Sequence, residues 1–220
     1  MKETKFKTRR FTLYCIGLFM IALGISFSIK SNLGVSPVNS IPYIVSLILG
    51  VDMGICTTTV FVAFILFQMF LLKKEFKMIN LLQIFSAMIF GALVSMTETL
   101  TFPITANSIY IIQILFLIIS IILIATGVFF YLSSDILSLP SEGVTKAVSH
   151  KFKIPLSKSK IIFDCSMVTI AIILSVIFLS KPTGIREGTI FSAIGVGFCM
   201  KVVHRFLNDK LKYFLGFSGR

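Results

Sequence analysis

Long apolar stretches alternate along this chain with short segments that hold most of its charged residues. Six of the stretches approach or exceed the roughly 20 residues that an α-helix needs to cross the hydrocarbon core of a bilayer. They comprise residues 11–29, 56–72, 78–97, 108–132, 161–179 and 188–203. The hydrophobic pattern therefore predicts an all-α polytopic membrane protein with six transmembrane helices.

Two further helices are predicted at prolines, and both are too short to span a membrane. The first begins at Pro37, has Ser36 in the N-cap position and ends at Gly50, a common pattern at helix boundaries. The second begins at Pro140, 103 positions later, in a similarly polar setting. The sequence thus predicts short, broken or re-entrant helices at residues 37–49 and 140–152.

The two prolines belong to a longer internal repeat. A shift of 106 positions aligns residues 84–87 with residues 190–193, and both segments read Ile-Phe-Ser-Ala. A shift of 103 positions matches Ala22, Gly24, Phe27, Ser31, Pro37, Val45 and Ser46 with Ala125, Gly127, Phe130, Ser134, Pro140, Val148 and Ser149. The predicted halves, 1–106 and 107–220, each hold three crossings. Because three is an odd number, the second half enters the membrane in the opposite direction, which predicts an inverted 3+3 repeat.

Composition agrees with a membrane location, and the distribution of charge predicts its orientation. The chain is 56% hydrophobic and 14% charged, with a net charge of +12. If the N-terminus is cytoplasmic, the cytoplasmic segments carry 18 of the 21 Lys and Arg residues, as the positive-inside rule requires. We therefore expect a multi-pass protein of the bacterial inner membrane with both termini in the cytoplasm. The expected partners are the bilayer and anionic lipid headgroups, and no nucleic acid.

Motifs for enzymatic chemistry and for metal binding are not found. The four cysteines lie in apolar runs without metal-ligand spacing, and the two histidines are isolated beside basic residues. The chain has no phosphate-binding loop, no nucleophile motif and no dinucleotide fingerprint. We expect neither an enzyme nor a cofactor, and no ATP-driven transport by this chain alone.

Polar residues at the first break form one candidate site. Asn32, Ser36 and Asn39 surround the predicted start of the short helix, where free backbone N–H groups attract an anionic or carboxylate group. Capping and turn formation would explain the same residues without a ligand. Both interpretations stay open from the sequence.

The second break adds acidic residues. Asp135, Ser141 and Glu142 flank Pro140, and the two acids could bind a cation or carry a coupling proton. Alternatively, Asp135 ends one helix and Glu142 places a favourable charge at the start of the next. Asp164, about one turn into the fifth predicted span, is a further candidate, although Lys160 at position i−4 could neutralise it.

The breaks also carry a family resemblance. Residues 33–39, Leu-Gly-Val-Ser-Pro-Val-Asn, with Gly50 and Gly54 after them, resemble the first signature of the bacterial YczE/YyaS/YitT-type membrane proteins. Residues 140–143, Pro-Ser-Glu-Gly, followed by Ile-Pro-Leu at 154–156, resemble the second signature. An aspartate is usual where this chain has Asn39 and Glu142. The resemblance covers most of the chain, and it implies an integral membrane protein but little about a substrate.

These patterns predict a small secondary transporter or permease for an unknown small molecule or ion. The two breaks are expected to meet at a common central cavity, because unpaired backbone at membrane depth is tolerated only beside protein or water. The alternative is a membrane-embedded accessory or regulatory subunit, for example the substrate-binding subunit of a multi-part transporter. A homodimer or a partner subunit is compatible with both functions.

Overall fold

The computed structural model describes the backbone of residues 2–103 and 109–214 and the side chains of residues 7–103 and 109–207. Within these ranges the chain is helical and forms no strand. The helices are α1 (Lys2–Ser31), α2 (Pro37–Leu49), α3 (Met53–Leu72), α4 (Gln83–Thr101), α5 (Tyr110–Ser134), α6 (Pro140–Phe152), α7 (Leu156–Leu179) and α8 (Glu187–Phe214). Two short 3₁₀-helices, Lys73–Glu75 and Met78–Leu82, connect α3 to α4.

Six of these helices are long and apolar enough to cross a membrane, as the sequence predicts. The spans lie in α1, α3, α4, α5, α7 and α8. The two short helices also begin and end where they are predicted, and each has 13 residues. Proline at the first helical position fixes both starts, and a left-handed residue, Gly50 or Lys153, ends each helix.

Several helix boundaries differ from the hydrophobic pattern, and α7, for example, begins at Leu156, before residue 161. α1 begins at Lys2, so the basic segment expected before the first span is part of the helix. α4 begins at Gln83, because the first residues of the predicted span form a 3₁₀-helix. α8 continues to Phe214, so much of the expected basic tail is helical. Residue 108, the predicted start of the fourth span, and residues 215–220 of the tail lie outside the described residues.

The core of the protein is the packing of α1 against α5. A Cβ atom on Gly17 would lie 2.6 Å from the Tyr131 backbone nitrogen, and one on Gly127 would lie 2.6 Å from the Gly17 carbonyl oxygen. Farther along, Gly24 approaches the Ser120 carbonyl oxygen. Residues with increasing numbers on α1 contact residues with decreasing numbers on α5, so the two helices run antiparallel. Small residues allow this close approach, which is a main source of helix association in lipid.

A second tight interface joins α3 and α4. Gly54 and Gly91 face each other so closely that a Cβ atom on either residue would overlap the opposite helix. The Thr58 hydroxyl reaches across to the Ala87 carbonyl oxygen at 3.4 Å. Phe61 stacks on Phe90 with ring centroids 5.6 Å apart. These contacts hold the two helices together along much of their length.

Most helix contacts recur between the two halves. α2 packs on α7 as α6 packs on α3, and α1 packs on α4 as α5 packs on α8. The short helix of each half also packs on the span that follows it, α2 on α3 and α6 on α7. By contrast, α3 packs extensively on α4, whereas α7 and α8 hardly touch. A smaller difference is that α6 contacts α4, whereas α2 hardly contacts α8.

Local backbone geometry repeats at the spacing of 103 positions. Asn32 and Asp135 end the first helix of each half with φ values of 54° and 50°. The Ser46 hydroxyl donates to the Val51 carbonyl oxygen at 2.7 Å, and the Ser149 hydroxyl donates to the Ile154 carbonyl oxygen at 2.7 Å. The turns that connect the helices thus have the same construction in both halves.

Candidate functional site

The start of α6 lies in a buried polar cluster, and Glu142 is at its centre. The Tyr131 hydroxyl on α5 donates to the Glu142 carboxylate and accepts from the Leu139 backbone N–H at 2.9 Å. Leu139 is the N-cap residue of α6 and has no side chain that could cap the helix. Tyr131, 1% exposed, therefore takes the place of a capping side chain from a neighbouring helix.

Two glutamines hold the next turn of α6 in place. The Gln68 side-chain amide on α3 donates to the Pro140 carbonyl oxygen at 3.1 Å and to Gln83 Oε1 on α4 at 3.1 Å. Both glutamines are buried, and this agrees with the interhelical hydrogen bonds that are usual for such residues in membrane spans. Gly143 faces the pair so closely that a Cβ atom there would lie 2.5 Å from Gln68 Oε1.

Tyr14 on α1 completes the cluster. Its ring lies 5.9 Å from the Tyr131 ring, and the residue is 2% exposed. The Tyr14 hydroxyl lies near Ser86, but it forms no hydrogen bond of normal geometry with any described residue. A buried hydroxyl without a partner costs free energy, so this position requires water, a ligand or a changed neighbour.

The electrostatics of Glu142 follow from its position. Burial raises the pKa of Glu142, and the hydrogen bond from Tyr131 and the charges of Lys146 and Lys160 oppose that shift. No described Lys, Arg or His side chain forms a salt bridge with its carboxylate. Lys146 instead donates to the Ser138 hydroxyl at 2.8 Å. The cluster thus contains a partly buried carboxylate without a cationic partner.

The first break has a different construction. The Asn39 side-chain amide donates to the Ser36 hydroxyl at 2.7 Å, whereas Asn39 Oδ1 is buried without a partner among the described residues. Asn32 is exposed, and its carbonyl oxygen accepts from Arg186 at 3.1 Å. Ser40 contacts the Met167 carbonyl oxygen on α7. The start of α2 is therefore held by α7 and by the segment before α8.

The remaining candidate residues are separate from the cluster. Asp135 is exposed at the end of α5, where it forms a salt bridge with Arg10 at 3.1 Å. Asp164 on α7 pairs with Lys160 at 2.7 Å, the neutralisation that the i−4 spacing suggests. Ser141 is buried, and its carbonyl oxygen accepts from the Thr145 hydroxyl at 3.0 Å. Of the acidic candidates, Glu142 alone joins the buried cluster.

Two details of the predicted breaks are wrong. Ser36 occupies the N-cap position of α2, but its side chain makes no capping hydrogen bond because it accepts from Asn39 instead. At α6, the first backbone N–H group is met by Tyr131, and neither Ser141 nor Glu142 caps the helix. α2 and α6 hardly contact each other, and the expectation that the two breaks meet at a common central cavity stays a prediction.

Two cavities lie between or at the ends of helices near the candidate residues. A groove of about 530 Å³ opens between α7 and α8, and its wall includes Pro37, Asp164, Arg186, Thr189 and Ala193. A second cavity, of about 460 Å³, lies at the ends of α2, α3 and α4, where Asp52 and Glu98 line it. The groove exists because α7 and α8 lack the contacts that close α3 against α4.

Tyr14 and Tyr131 are the functional candidates that sequence reasoning missed. Each lies inside an apolar span, where a single tyrosine is an ordinary core residue. Their positions do carry a signal, since both lie about one or two turns from the cytoplasmic end assigned to their spans. Antiparallel packing of α1 on α5 would have brought them to the same depth, but that packing is not visible in the sequence.

The fold and the cluster define a multi-pass membrane protein with a partly buried carboxylate at a broken helix. Residues 8–205 match a family described as "Family of unknown function (DUF6198)", and the chain belongs to that family. It is also 25% identical over 215 residues to "Uncharacterized protein YyaS" of Bacillus subtilis (strain 168), a match that covers 96% of this chain and 98% of the relative. No solved structure matches the chain. The YyaS part of the resemblance is thus supported, and its YczE and YitT parts stay predictions.

Proposed function

We propose that the protein is a small secondary transporter or permease that exposes a central site alternately to the two sides of the bacterial inner membrane. The observation that carries the proposal is the largest difference between the halves, an interface that is closed between α3 and α4 and open between α7 and α8. In alternating-access transporters built from repeats, the two repeats adopt different conformations at any one time. When the proposed transporter changes state, the α3–α4 interface opens and the α7–α8 interface closes.

An inverted 3+3 repeat underlies this proposal. Each half has a long helix, a short helix and two further spans, in the same order. The recurring turns and the recurring helix contacts support equivalence of the halves. Since α1 and α5 are counterparts that pack antiparallel through Gly17 and Gly127, the halves are related by inversion.

The charge distribution assigns a side to the α3–α4 contact. With cytoplasmic termini, Gly54 lies at the outer end of α3, where it packs on Gly91 near the middle of α4. This tight contact closes the outer half of the α3–α4 interface. The counterpart of Gly91 in α8 is Gly197, which lies near the middle of its span and has no atom of another residue within 4 Å of its Cβ direction. In the proposed transporter this conformation has α3 closed on α4 and α7 separated from α8.

The Glu142 cluster is the proposed binding centre of the pathway. It lies at the inner ends of α1, α3, α4 and α5, beside the non-spanning helix α6. Intramembrane carboxylates that lack a cationic partner are costly and usually mark ion or substrate pathways. Asp164 in the wall of the groove is the second proposed pathway residue, and Asn39, Ser36 and Asn32 form the outer approach.

A second candidate function is a membrane-embedded accessory subunit. α8 supports it, because many of its large apolar side chains are exposed, including Ile190, Ile194 and Phe198. Such a face fits lipid, a second copy or a partner subunit. Purification from native membranes at native expression separates the functions, since a stoichiometric partner favours the subunit and a solitary, active protein favours the transporter.

Reconstitution into liposomes tests the leading proposal. A panel of labelled amines, organic acids, sugars, amino acids and inorganic ions is offered under an imposed proton or sodium gradient. We expect gradient-dependent uptake of at least one class by the wild type and loss of that uptake in Glu142→Gln. Glu75→Gln serves as the control, because Glu75 is exposed and pairs with His150 away from the cluster. Absence of uptake across the whole panel by correctly folded protein would contradict the proposal.

A further inference from the structure

We propose that Glu142 is a proton-binding site whose surroundings are built to hold both its charged and its neutral form. The proton comes from hydronium in the adjoining aqueous phase, adds to a carboxylate oxygen and returns to water, and no other group changes its charge. The inference deepens the proposed function by naming the coupling ion, and it depends on that function only for the coupling.

Neighbouring groups in the structure stabilise the charged form of Glu142. The Tyr131 hydroxyl donates to the carboxylate, and its own oxygen accepts from the Leu139 N–H at 2.9 Å. Glu142 occupies the first turn of α6, where the helix dipole favours a negative charge. A hydrogen bond to the ionised carboxylate is stronger than one between neutral groups. These features make ionisation possible in a partly buried position.

The neutral form requires an acceptor for its new O–H group, and Tyr14 is available. Its hydroxyl is buried near Ser86 without a partner of normal geometry, and its ring lies 5.9 Å from the ring of Tyr131, which donates to Glu142. Gln68 and Gln83 cannot take this role easily, because their oxygens are engaged with each other's amides. An unpaired hydroxyl in this position becomes satisfied when the carboxyl group gains a proton.

The charged groups around Glu142 allow its carboxylate to gain and lose a proton. The titratable and charged groups that face Glu142 are Tyr14 on α1, Tyr131 on α5, Lys146 on α6 and Lys160 on α7. Lys146 is bonded to Ser138 and Lys160 to Asp164, so neither lysine forms a salt bridge with Glu142. From α3 and α4 the facing groups, Gln68 and Ser86, are neutral. Burial raises the pKa of Glu142 above the ordinary value of a glutamate, which helps a proton to bind.

Close packing favours a proton over a larger cation. Leu139, Gly143 and Val144, the neighbours of Glu142 along the chain, are buried, and a Cβ atom on Gly143 would already approach Gln68 Oε1 to 2.5 Å. The counterpart of Glu142 in the first half is Asn39, which carries no titratable group. Of these two equivalent positions in the repeat, only the one in the second half thus carries an ionisable side chain.

Infrared difference spectroscopy of the purified, reconstituted protein tests the inference without any transported solute. The pH is stepped upward, and the carbonyl band of a protonated carboxylic acid is followed. We expect a band from Glu142 that titrates above the ordinary range of an exposed glutamate. The band should be missing in Glu142→Gln and retained in Glu75→Gln, whose side chain is exposed.

Two tyrosine variants separate the proposed roles and need no change at Glu142. Tyr131→Phe removes the donor to the carboxylate, so the apparent pKa of the band should rise. Tyr14→Phe removes the acceptor of the neutral form, so the apparent pKa should fall. Persistence of the band in folded Glu142→Gln, or an unchanged titration in both tyrosine variants, would overturn the inference. Failure of the liposome uptake assay alone would overturn the transporter proposal and leave this one standing.

Discussion

At the scale of single residues, the Tyr131 hydroxyl makes two of the hydrogen bonds that hold the cluster together. It caps α6 from outside that helix, and it donates to a carboxylate whose charge is otherwise poorly compensated. The site therefore depends on a contact between α5 and α6, the two elements that flank the second break. The consequences of this contact can be measured directly.

Tyr131→Phe should lower the free energy of unfolding by about 1.5–3 kcal/mol, because the Leu139 N–H and the Glu142 carboxylate both lose a buried hydrogen bond. Unfolding in mixed micelles, followed by circular dichroism, measures the change. Tyr110→Phe is the matched control, since Tyr110 is exposed at the start of α5. Equal stabilities of the two variants would show that Tyr131 does not cap α6.

Stability should also depend on pH through Glu142. Because burial raises its pKa in the folded protein, the folded state binds a proton more tightly than the unfolded state. The contribution to stability is therefore complete below the ordinary glutamate pKa of about 4.3 and is lost as pH rises through the higher folded value. Unfolding measured over this interval should show the decline in the wild type and a flatter curve in Glu142→Gln. A wild-type curve that rises over the same interval would contradict the assignment.

At the scale of elements, glycine contacts decide which helices pack tightly. Gly91 on α4 lies against Gly54 and Thr58 on α3, whereas its counterpart Gly197 on α8 faces open space. The same residue type in equivalent positions thus has a packing role in one half and none in the other in this conformation.

Gly91→Ala should destabilise the protein by about 1–3 kcal/mol, because the added methyl group overlaps the backbone of α3. Gly197→Ala is the matched control and should leave the unfolding free energy nearly unchanged. Thermal unfolding of the two variants in the same detergent checks the difference. A similar loss in both variants would show that α7 and α8 pack tightly in solution.

The short helices show what the sequence can predict at this scale. Proline at the first helical position and a residue suited to the left-handed conformation at the end define α2 within local sequence, so its predicted bounds are confirmed. The start of α1 was misplaced because hydropathy marks only the apolar part of a helix, while the basic residues from Lys2 onward continue it into the aqueous phase. The prediction that Ser141 and Glu142 cap α6 is wrong because the cap comes from Tyr131 on another helix.

At the scale of the whole molecule, six spans and two short helices were predictable, but their relative packing was not. Identical motifs in the two halves suggest identical contacts, and the separation of α7 from α8 contradicts that expectation. In the proposed transporter, this difference between the halves is one of conformation, which a repeated sequence does not encode. Glu142 could be predicted as a candidate because it lies beside a proline break in the sequence. The tyrosines of the cluster could not, because they come from helices that are distant along the chain.

Cross-linking of α7 to α8 tests the alternating exposure of the two halves most directly. Thr58 and Ala87 contact each other across the closed α3–α4 interface, and their counterparts in the open interface are Ile161 and Ala193. Cysteines at these two positions, with Cys165 and Cys199 replaced by serine, should form a disulfide when the protein visits the exchanged state. A third cysteine at Ser95, which lies in the outer half of the α3–α4 interface, reports opening of α3 from α4 through an impermeant maleimide.

The account predicts that the disulfide forms in membranes and that its formation increases labelling at position 95 from the outer side, with reversal on reduction. Reduced protein and the Ser95→Cys variant without the other two cysteines provide the baselines. A disulfide that forms without any change in labelling would show that the two interfaces move independently. Absence of the disulfide under all gradients would show that α7 and α8 stay apart, and either result would contradict alternating exposure.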